Sequence, residues 1–104
     1  MEPYKVLITG EAEKDLKQIR NYIHFDLQNP VSVSALISKL KDSILSLEDL
    51  PYRHGLVKDS GLAVISIRKI RVENYLVFYQ VDEHYKSVYI VRVLSARRDW
   101  ENLV

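Results

Sequence analysis

The chain has 104 residues, of which 47% are hydrophobic and 28% charged, a composition typical of one soluble globular domain and unlike a disordered segment. No apolar run reaches the roughly 18 residues that span a bilayer, and the first residues lack the basic and apolar regions of an export signal. We therefore expect a cytoplasmic protein without a membrane partner. Cysteine is absent, which excludes disulfides and thiolate metal sites. No cofactor is expected.

The net charge of +1 is unevenly distributed along the chain. Residues 1–50 hold 6 Lys and Arg against 8 Asp and Glu, whereas residues 51–104 hold 9 against 6. The excess of cations favours an anionic partner for the second half. On charge alone, the alternative that these cations are simply solvated is equally good.

The first half predicts a strand followed by two helices. Residues 4–8 form the strand, and Thr9 is a suitable N-cap for a first helix. Apolar side chains then recur every three or four residues to about residue 27. A second helix is predicted to start at Pro30 and to end just before Pro51, because proline suits the first helical position and disfavours helix before it. So short a connection makes the two helices antiparallel neighbours.

The second half predicts a loop at residues 51–62 and then a small sheet. The three strands lie at residues 64–72, 75–81 and 88–94, with turns at 73–74 and 82–86. A slip in the apolar alternation predicts a bulge near Arg68 and Lys69. The order β-α-α-β-β-β predicts an α+β fold, in which a helical hairpin covers one face of a mostly antiparallel sheet. Cations and tyrosines would project from the uncovered face.

The opening strand and six further stretches of the sequence resemble those of a known family. The six are Glu11-Ala12-Glu13-Lys14-Asp15-Leu16, Asn29-Pro30, Leu47-Glu48-Asp49-Leu50-Pro51, Arg68-Lys69-Ile70, Asn74-Tyr75-Leu76-Val77-Phe78-Tyr79 and Arg92-Val93-Leu94-Ser95-Ala96-Arg97-Arg98-Asp99-Trp100. In their order and spacing the chain resembles, over essentially its full length, the RelE/ParE superfamily of toxins from type II toxin–antitoxin modules. The resemblance implies one toxin domain over residues 1–104. It also implies a hetero-oligomer with a small cognate antitoxin whose C-terminal segment is acidic.

The resemblance allows two activities. One branch of the superfamily consists of metal-independent, ribosome-dependent mRNA endonucleases, and the ParE-like branch inhibits DNA gyrase without chemistry of its own. A nuclease would use Lys69, Arg71 and Arg97 on the phosphate, with His54 as a further acid–base candidate. However, Leu76 stands where nuclease members commonly carry arginine, and the tail lacks their tyrosine or histidine. We expect a ParE-like gyrase inhibitor, with the endonuclease as the alternative.

A further set of residues is expected to contact the target or the antitoxin, because cations and aromatic rings anchor protein interfaces. The set is Arg68, Tyr75, Tyr79, Arg92, Arg98 and Trp100. Each of these residues except Arg98 has a structural alternative. The tyrosines would then pack within the sheet, the two strand arginines would pair with Glu73, Asp82 or Asp99, and the tryptophan would cap the core.

Overall fold

The computed structural model describes residues 3–21, 30–49, 51–53 and 67–97. Its strands are β1 (Lys5–Ile8), β2 (Arg68–Val72), β3 (Tyr75–Asp82) and β4 (Ser87–Ser95), and its helices are α1 (Gly10–Asn21) and α2 (Pro30–Leu45). Two short 3-10 turns, Ser46–Glu48 and Pro51–Arg53, follow α2. No helix in the described ranges is long and apolar enough to cross a membrane.

The four strands form one mixed sheet in the order β1-β4-β3-β2. β1 pairs with β4 in parallel, whereas β2 with β3 and β3 with β4 are antiparallel. The expected α+β fold with a mostly antiparallel sheet is confirmed. The predicted turns between β2 and β3 and between β3 and β4 are also present.

The start of α1 is fixed by Thr9, which confirms the predicted cap. Its Oγ1 accepts the Ala12 amide at 3.3 Å and donates to the Ile90 carbonyl at 2.8 Å. One hydroxyl thus satisfies an orphan donor of the helix and attaches the helix start to β4. The predicted continuation of α1 to residue 27 falls on residues 22–29, outside the described ranges.

α2 begins at Pro30 as predicted but ends at Leu45, about five residues earlier than expected. The chain tightens into the 3-10 turn Ser46–Glu48, where the Ser46 hydroxyl donates to the Ser43 carbonyl at 2.6 Å. A serine that bonds the preceding turn competes with the regular helical hydrogen bonds. The helix therefore ends before the position at which Pro51 alone would end it.

The main core lies between the helices and one face of the sheet, here called the helix-covered face. Its buried members are Ala12, Ile19, Leu40, Ile44, Leu47, Val72, Val77, Tyr79, Val88, Ile90 and Val93. The opposite or second face carries a smaller cluster of Ile67, Leu76, Phe78 and Leu94. The sheet is therefore apolar on both faces, although only one of them was expected to be.

This double burial explains why the predicted bulge is in the wrong place. Arg68 and Lys69 pair regularly with Tyr79 and Phe78. The break in the alternation arises because Ile67 belongs to the second face, not because a residue is inserted. The irregularity lies instead in β4, where the register with β3 shifts and skips Val91.

A buried carboxylate fastens α1 to β4. The side chain of Asp15 is 6% exposed and accepts three hydrogen bonds. Arg92 donates through Nε at 2.7 Å and Nη2 at 3.0 Å, and the Val93 amide donates at 2.9 Å. The paired carboxylate raises the pKa of Arg92. A bidentate pair with an added backbone donor fixes both distance and orientation.

We expect Asp15→Ala to lower the free energy of unfolding by about 3 to 5 kcal/mol, because it leaves a half-buried guanidinium and a backbone donor without their acceptor. Urea denaturation would measure the change. Glu13→Ala on the same helix is the control, since Glu13 is exposed and pairs only at the surface with Lys17 at 3.4 Å. The control should stay within about 0.5 kcal/mol of the parent. Equal effects of the two substitutions would contradict the role given to Asp15.

Candidate functional site

Of the three cations predicted for phosphate chemistry, Arg71 and Arg97 lie at one end of the sheet, and Lys69 lies further along β2. Lys69 and Arg71 are opposite Phe78 and Leu76, so both belong to the second face. Arg71 Nε donates to the Glu73 carbonyl at 2.9 Å in the β2–β3 turn.

The exposed Arg97 follows β4 at the same end of the sheet. The neighbouring Ala96 amide donates to the Asn74 carbonyl at 2.8 Å, which holds this segment beside the β2–β3 turn. The Arg97 amide itself donates to Ser95 Oγ at 3.3 Å. Arg71 and Arg97 are thus brought to one end of the molecule, with Lys69 two residues back along β2.

The second face is not the open cationic and aromatic platform that was expected. Phe78 is fully buried, and Leu76 and Leu94 are nearly so. Apolar side chains therefore occupy the central strands of this face, with the cations on the outer strand β2 and beyond the end of β4. The cations therefore lie at the edge of the second face, and this face provides no surface on which bases could stack.

The tyrosines of β3 belong to the helix-covered face, because alternate residues of a strand point to the same side. Tyr79 is fully buried and its hydroxyl donates to the Pro51 carbonyl at 2.6 Å. The prediction that Tyr79 contacts a partner is therefore wrong, and the packing alternative holds. Tyr75 is half-buried and packs against the same core cluster.

The two strand arginines differ. Arg92 is held by Asp15, so the ion-pair alternative applies to it, although with a different acid from the three predicted, and contact of Arg92 with a target stays a prediction. Arg68 lies beside Tyr52, with its guanidinium carbon 4.9 Å from the ring centroid and Nη1 3.4 Å from the Tyr52 carbonyl. This geometry is a cation–π contact. His54, Arg98 and Trp100 lie outside the described residues.

A cluster around Glu83 was not predicted. Glu83 Oε2 accepts the hydroxyls of Tyr4 at 2.6 Å and Tyr52 at 2.7 Å, while Lys86 pairs with Oε1. The Lys86 ammonium also lies 5.2 Å from the centroid of the Tyr4 ring. The only sequence signal was the charged hairpin at residues 82–86, and it did not indicate a partner 79 residues away.

Hydrogen bonds to Glu83 determine the protonation states in this cluster. Hydrogen bonds from Lys86, Tyr4 and Tyr52 lower the pKa of Glu83 to about 2. In return, the bond to Glu83 raises the pKa of Tyr52 to about 12. At neutral pH the carboxylate is an acceptor and the phenols are donors, so the cluster joins the β3–β4 turn to the chain start and to the turn after α2. It supplies no activated base or nucleophile.

An apolar groove lies between α1 and α2 beside the end of β1. Its lining residues are Ile8, Leu16, Arg20, Ile37, Leu40, Lys41, Ile44 and Leu45, and it encloses about 270 Å³. Ile8 and Leu45 remain 48% and 51% exposed. The helical stripes were expected to be covered by the sheet, but this part of them is open to solvent. Within the described ranges, no group of His, Asp and Glu side chains is arranged to hold a metal ion.

Comparison with known proteins gives one family and one fold. The family model described as the ParE toxin of the type II toxin–antitoxin system parDE matches residues 6–100. Comparison with curated protein sequences gives no match.

Among solved structures, the RelBE2 toxin–antitoxin complex of Mycobacterium tuberculosis is similar, with TM-score 0.64 and 25% identity over 91% of this chain and 93% of that one. A chain of the chromosomal ParDE system of P. aeruginosa superposes with TM-score 0.70 at 16% identity, over 88% and 95% of the two chains. The E. coli RelBE complex gives TM-score 0.60 at 17% identity, over 91% and 99%.

We expect the Glu83 cluster to make the free energy of unfolding depend on pH in the acidic range. Because the pKa of Glu83 falls from 4.5 to about 2 on folding, its contribution is complete above pH 4.5 and is lost as the pH falls toward 2. An NMR titration of the Glu83 carboxyl would measure the folded value. Tyr52→Phe should raise that pKa, since it removes one donor. A wild-type titration midpoint near 4.5 would contradict the cluster.

Proposed function

We propose, since the chain belongs to the ParE toxin family of type II toxin–antitoxin systems, that this toxin inhibits DNA gyrase and is neutralised by a cognate antitoxin. It would bind gyrase as a protein ligand in the cytoplasm and arrest replication, without breaking or forming covalent bonds itself. The ParE-family match over residues 6–100 favours this branch over the ribonuclease branch.

The observation that carries the proposal is the burial of Leu76. Cleavage of RNA requires groups that stabilise charge on the phosphate and transfer protons. The resemblance places an arginine of the nuclease branch at this position. Here the position holds a leucine that is 7% exposed, within the apolar cluster of the second face. A buried aliphatic side chain cannot contact a phosphate, whereas a protein inhibitor has no need for such a contact.

The alternative is a ribosome-dependent mRNA endonuclease. The observation that favours it is the approach of Arg71 and Arg97 to one end of the sheet, with Lys69 nearby on β2. Preorganised cations can stabilise a phosphate transition state by several kcal/mol. The similarity to toxin chains of RelBE complexes is compatible with this reading.

A cognate antitoxin is the partner shared by both readings. The similar M. tuberculosis and E. coli structures are toxin–antitoxin complexes. By analogy, we expect a small protein encoded beside this chain to bind it. Acidic residues on that protein would complement the cationic second half of this sequence.

The first experiment uses the purified chain, separated from antitoxin, with gyrase, ATP and relaxed plasmid. We expect loss of supercoiling and the accumulation of gyrase-bound, cleaved DNA, because a ParE-like ligand would hold the enzyme on its substrate. Agarose gels before and after protease treatment would measure both. Addition of the antitoxin should restore supercoiling. Unaffected supercoiling at excess toxin would contradict the proposal.

The second experiment tests the alternative by mapping mRNA ends in a reconstituted translation reaction. We expect no cleavage that depends on this chain, because Leu76 replaces the phosphate-binding cation. Arg97→Glu and Lys14→Glu provide a matched pair of charge reversals, the first at the end of the sheet and the second on the exposed side of α1. Cleavage by the wild type that is lost in Arg97→Glu and kept in Lys14→Glu would establish the endonuclease instead.

A further inference from the structure

Two exposed arginines, here called the cationic end, lie where the β2–β3 turn meets the end of β4. Arg71 donates through Nε to the Glu73 carbonyl at 2.9 Å, which fixes the side chain without neutralising its charge. Arg97 is exposed, and the hydrogen bond at this residue comes from its backbone amide. Neither guanidinium forms an ion pair with a carboxylate of the described ranges. Both are therefore available to an external anion.

The acid of the β2–β3 turn does not cancel these charges. Glu73 Oε1 accepts a hydrogen bond from Lys39 Nζ of α2 at 2.5 Å, so this carboxylate already has its own cation. Three cations, Arg71, Arg97 and Lys39, stand against the single carboxylate of Glu73, which leaves a net charge of +2 for these four side chains. A fixed excess of positive charge attracts an anionic ligand.

The backbone holds the two arginines at a defined separation. The Ala96 amide donates to the Asn74 carbonyl at 2.8 Å, which attaches the segment before Arg97 to the β2–β3 turn. Strand β3 lies between β2, which carries Arg71, and β4, which precedes Arg97. Two strand spacings amount to about 10 Å. Because one strand of DNA carries a phosphate about every 3.4 Å along the helix axis, this distance covers about three phosphates.

The surface beside the cationic end favours a duplex over a single strand. Single-stranded nucleic acid is held by exposed aromatic rings on which its bases stack. Next to the arginines, the second face carries Leu76, Phe78 and Leu94, and all three side chains are buried. A duplex requires no such ring, because its phosphates lie outside the stacked bases and are reached by cations alone. The contact would be independent of base sequence.

Two arginines are too few to retain DNA without help. Non-specific binding to DNA typically has a dissociation constant of about 10⁻⁴ to 10⁻⁶ M at physiological salt and is supplied by a larger number of phosphate contacts. A weak contact becomes effective when another protein already holds its two partners side by side, because the effective concentration then reaches the millimolar range. In the proposed function, gyrase is a protein that holds both the toxin and DNA.

We infer that Arg71 and Arg97 bind the phosphate backbone of the duplex DNA that gyrase holds, so that the toxin contacts the enzyme and its DNA at the same time. The inference rests on the proposed function in taking gyrase as the protein that brings toxin and DNA together. It adds a second ligand, double-stranded DNA, and the surface that binds it. The contact is electrostatic and changes no covalent bond.

The test measures the affinity of fluorescently labelled full-length toxin for gyrase by anisotropy, without DNA and with a saturating duplex of mixed sequence. The ratio of the two dissociation constants is the DNA gain. We expect a gain of about tenfold at 50 mM salt and of less than about twofold at 200 mM, because two phosphate contacts make affinity fall with about the 1.8 power of salt concentration. The toxin alone should not bind the duplex measurably.

Two double variants that lose the same charge separate the cationic end from net charge. Arg71→Gln/Arg97→Gln should reduce the DNA gain at 50 mM salt to less than about twofold. Lys5→Gln/Lys14→Gln should keep it near tenfold, because Lys5 lies beside the β3–β4 turn at the other end of the sheet and Lys14 lies on the exposed side of α1. Since the gain is a ratio, an equal loss of gyrase affinity with and without DNA cancels.

A third variant predicts a change of opposite sign. Glu73→Gln removes the carboxylate that Lys39 binds, so the ammonium of Lys39 adds one cation to this end. The DNA gain at 50 mM salt should rise about threefold, which is the share of one cation when two provide about tenfold. The melting temperature of each variant should stay within a few degrees of the parent, which separates loss of a contact from loss of fold.

Five outcomes decide the inference. A salt-sensitive gain that the arginine pair loses and the lysine pair keeps supports it. Inhibition of gyrase by a toxin whose affinity is unchanged by DNA overturns it and leaves the proposed function intact. A gain that both double variants retain also overturns it, because DNA then acts by changing gyrase. Tighter binding of the toxin to single-stranded RNA than to the duplex, lost in the arginine pair, overturns it and assigns the cationic end to RNA. A toxin that neither binds nor inhibits gyrase overturns the proposed function and the inference together.

Discussion

The carboxylate of Asp15 is the constraint on which the arrangement of the molecule depends. β1 pairs with β4 only as far as Ile8 opposite Ile90, so the part of β4 after Ile90 extends beyond the end of β1. In that part of β4, the Asp15 carboxylate is the acceptor that a neighbouring strand would otherwise provide, because it accepts a hydrogen bond from the Val93 amide. The same carboxylate binds Arg92. A buried ion pair contributes less to net stability than its geometry suggests, but it permits few alternative positions of α1. The orientation of α1, and with it one wall of the groove, follows from this contact.

The irregularity in β4 lies beside the same contact and serves the same attachment. The Thr9 hydroxyl donates to Ile90, and the shift in register falls at Val91, directly before Arg92. A bulge bends a strand and redirects the side chains next to it. Here the redirected residue is an arginine that was expected to meet a target, and it is held by Asp15. A cation that sequence analysis would assign to function therefore also serves the framework.

The elements that could be predicted from the sequence are those set by local rules. The Thr9 cap, the helix start at Pro30 and the succession of helices and strands along the chain depend on neighbours within a few residues, and they are confirmed. The partner of Arg92 lies 77 residues away and could not be found from spacing. One signal was nevertheless present, because Asp15 interrupts the apolar stripe between Ala12 and Ile19. The error in the predicted position of the bulge has a different cause. When both faces of a sheet carry apolar residues, the alternation of apolar and polar residues breaks as it would at a bulge.

The two candidate surfaces lie on opposite sides of the sheet, which bears on how an antitoxin can neutralise the toxin. The groove belongs to the helical side, whereas Arg71 projects from the second face, and a four-stranded sheet separates them. A helix seated in the groove would leave Arg71 and Arg97 exposed. If the toxin recognised gyrase through its helical hairpin, that one helix would block the target directly. A nuclease would require a second antitoxin segment that passes around a sheet edge to cover the cations. The number of segments needed for neutralisation would thus differ between the two functions, because the groove and Arg71 lie on opposite sides of one sheet.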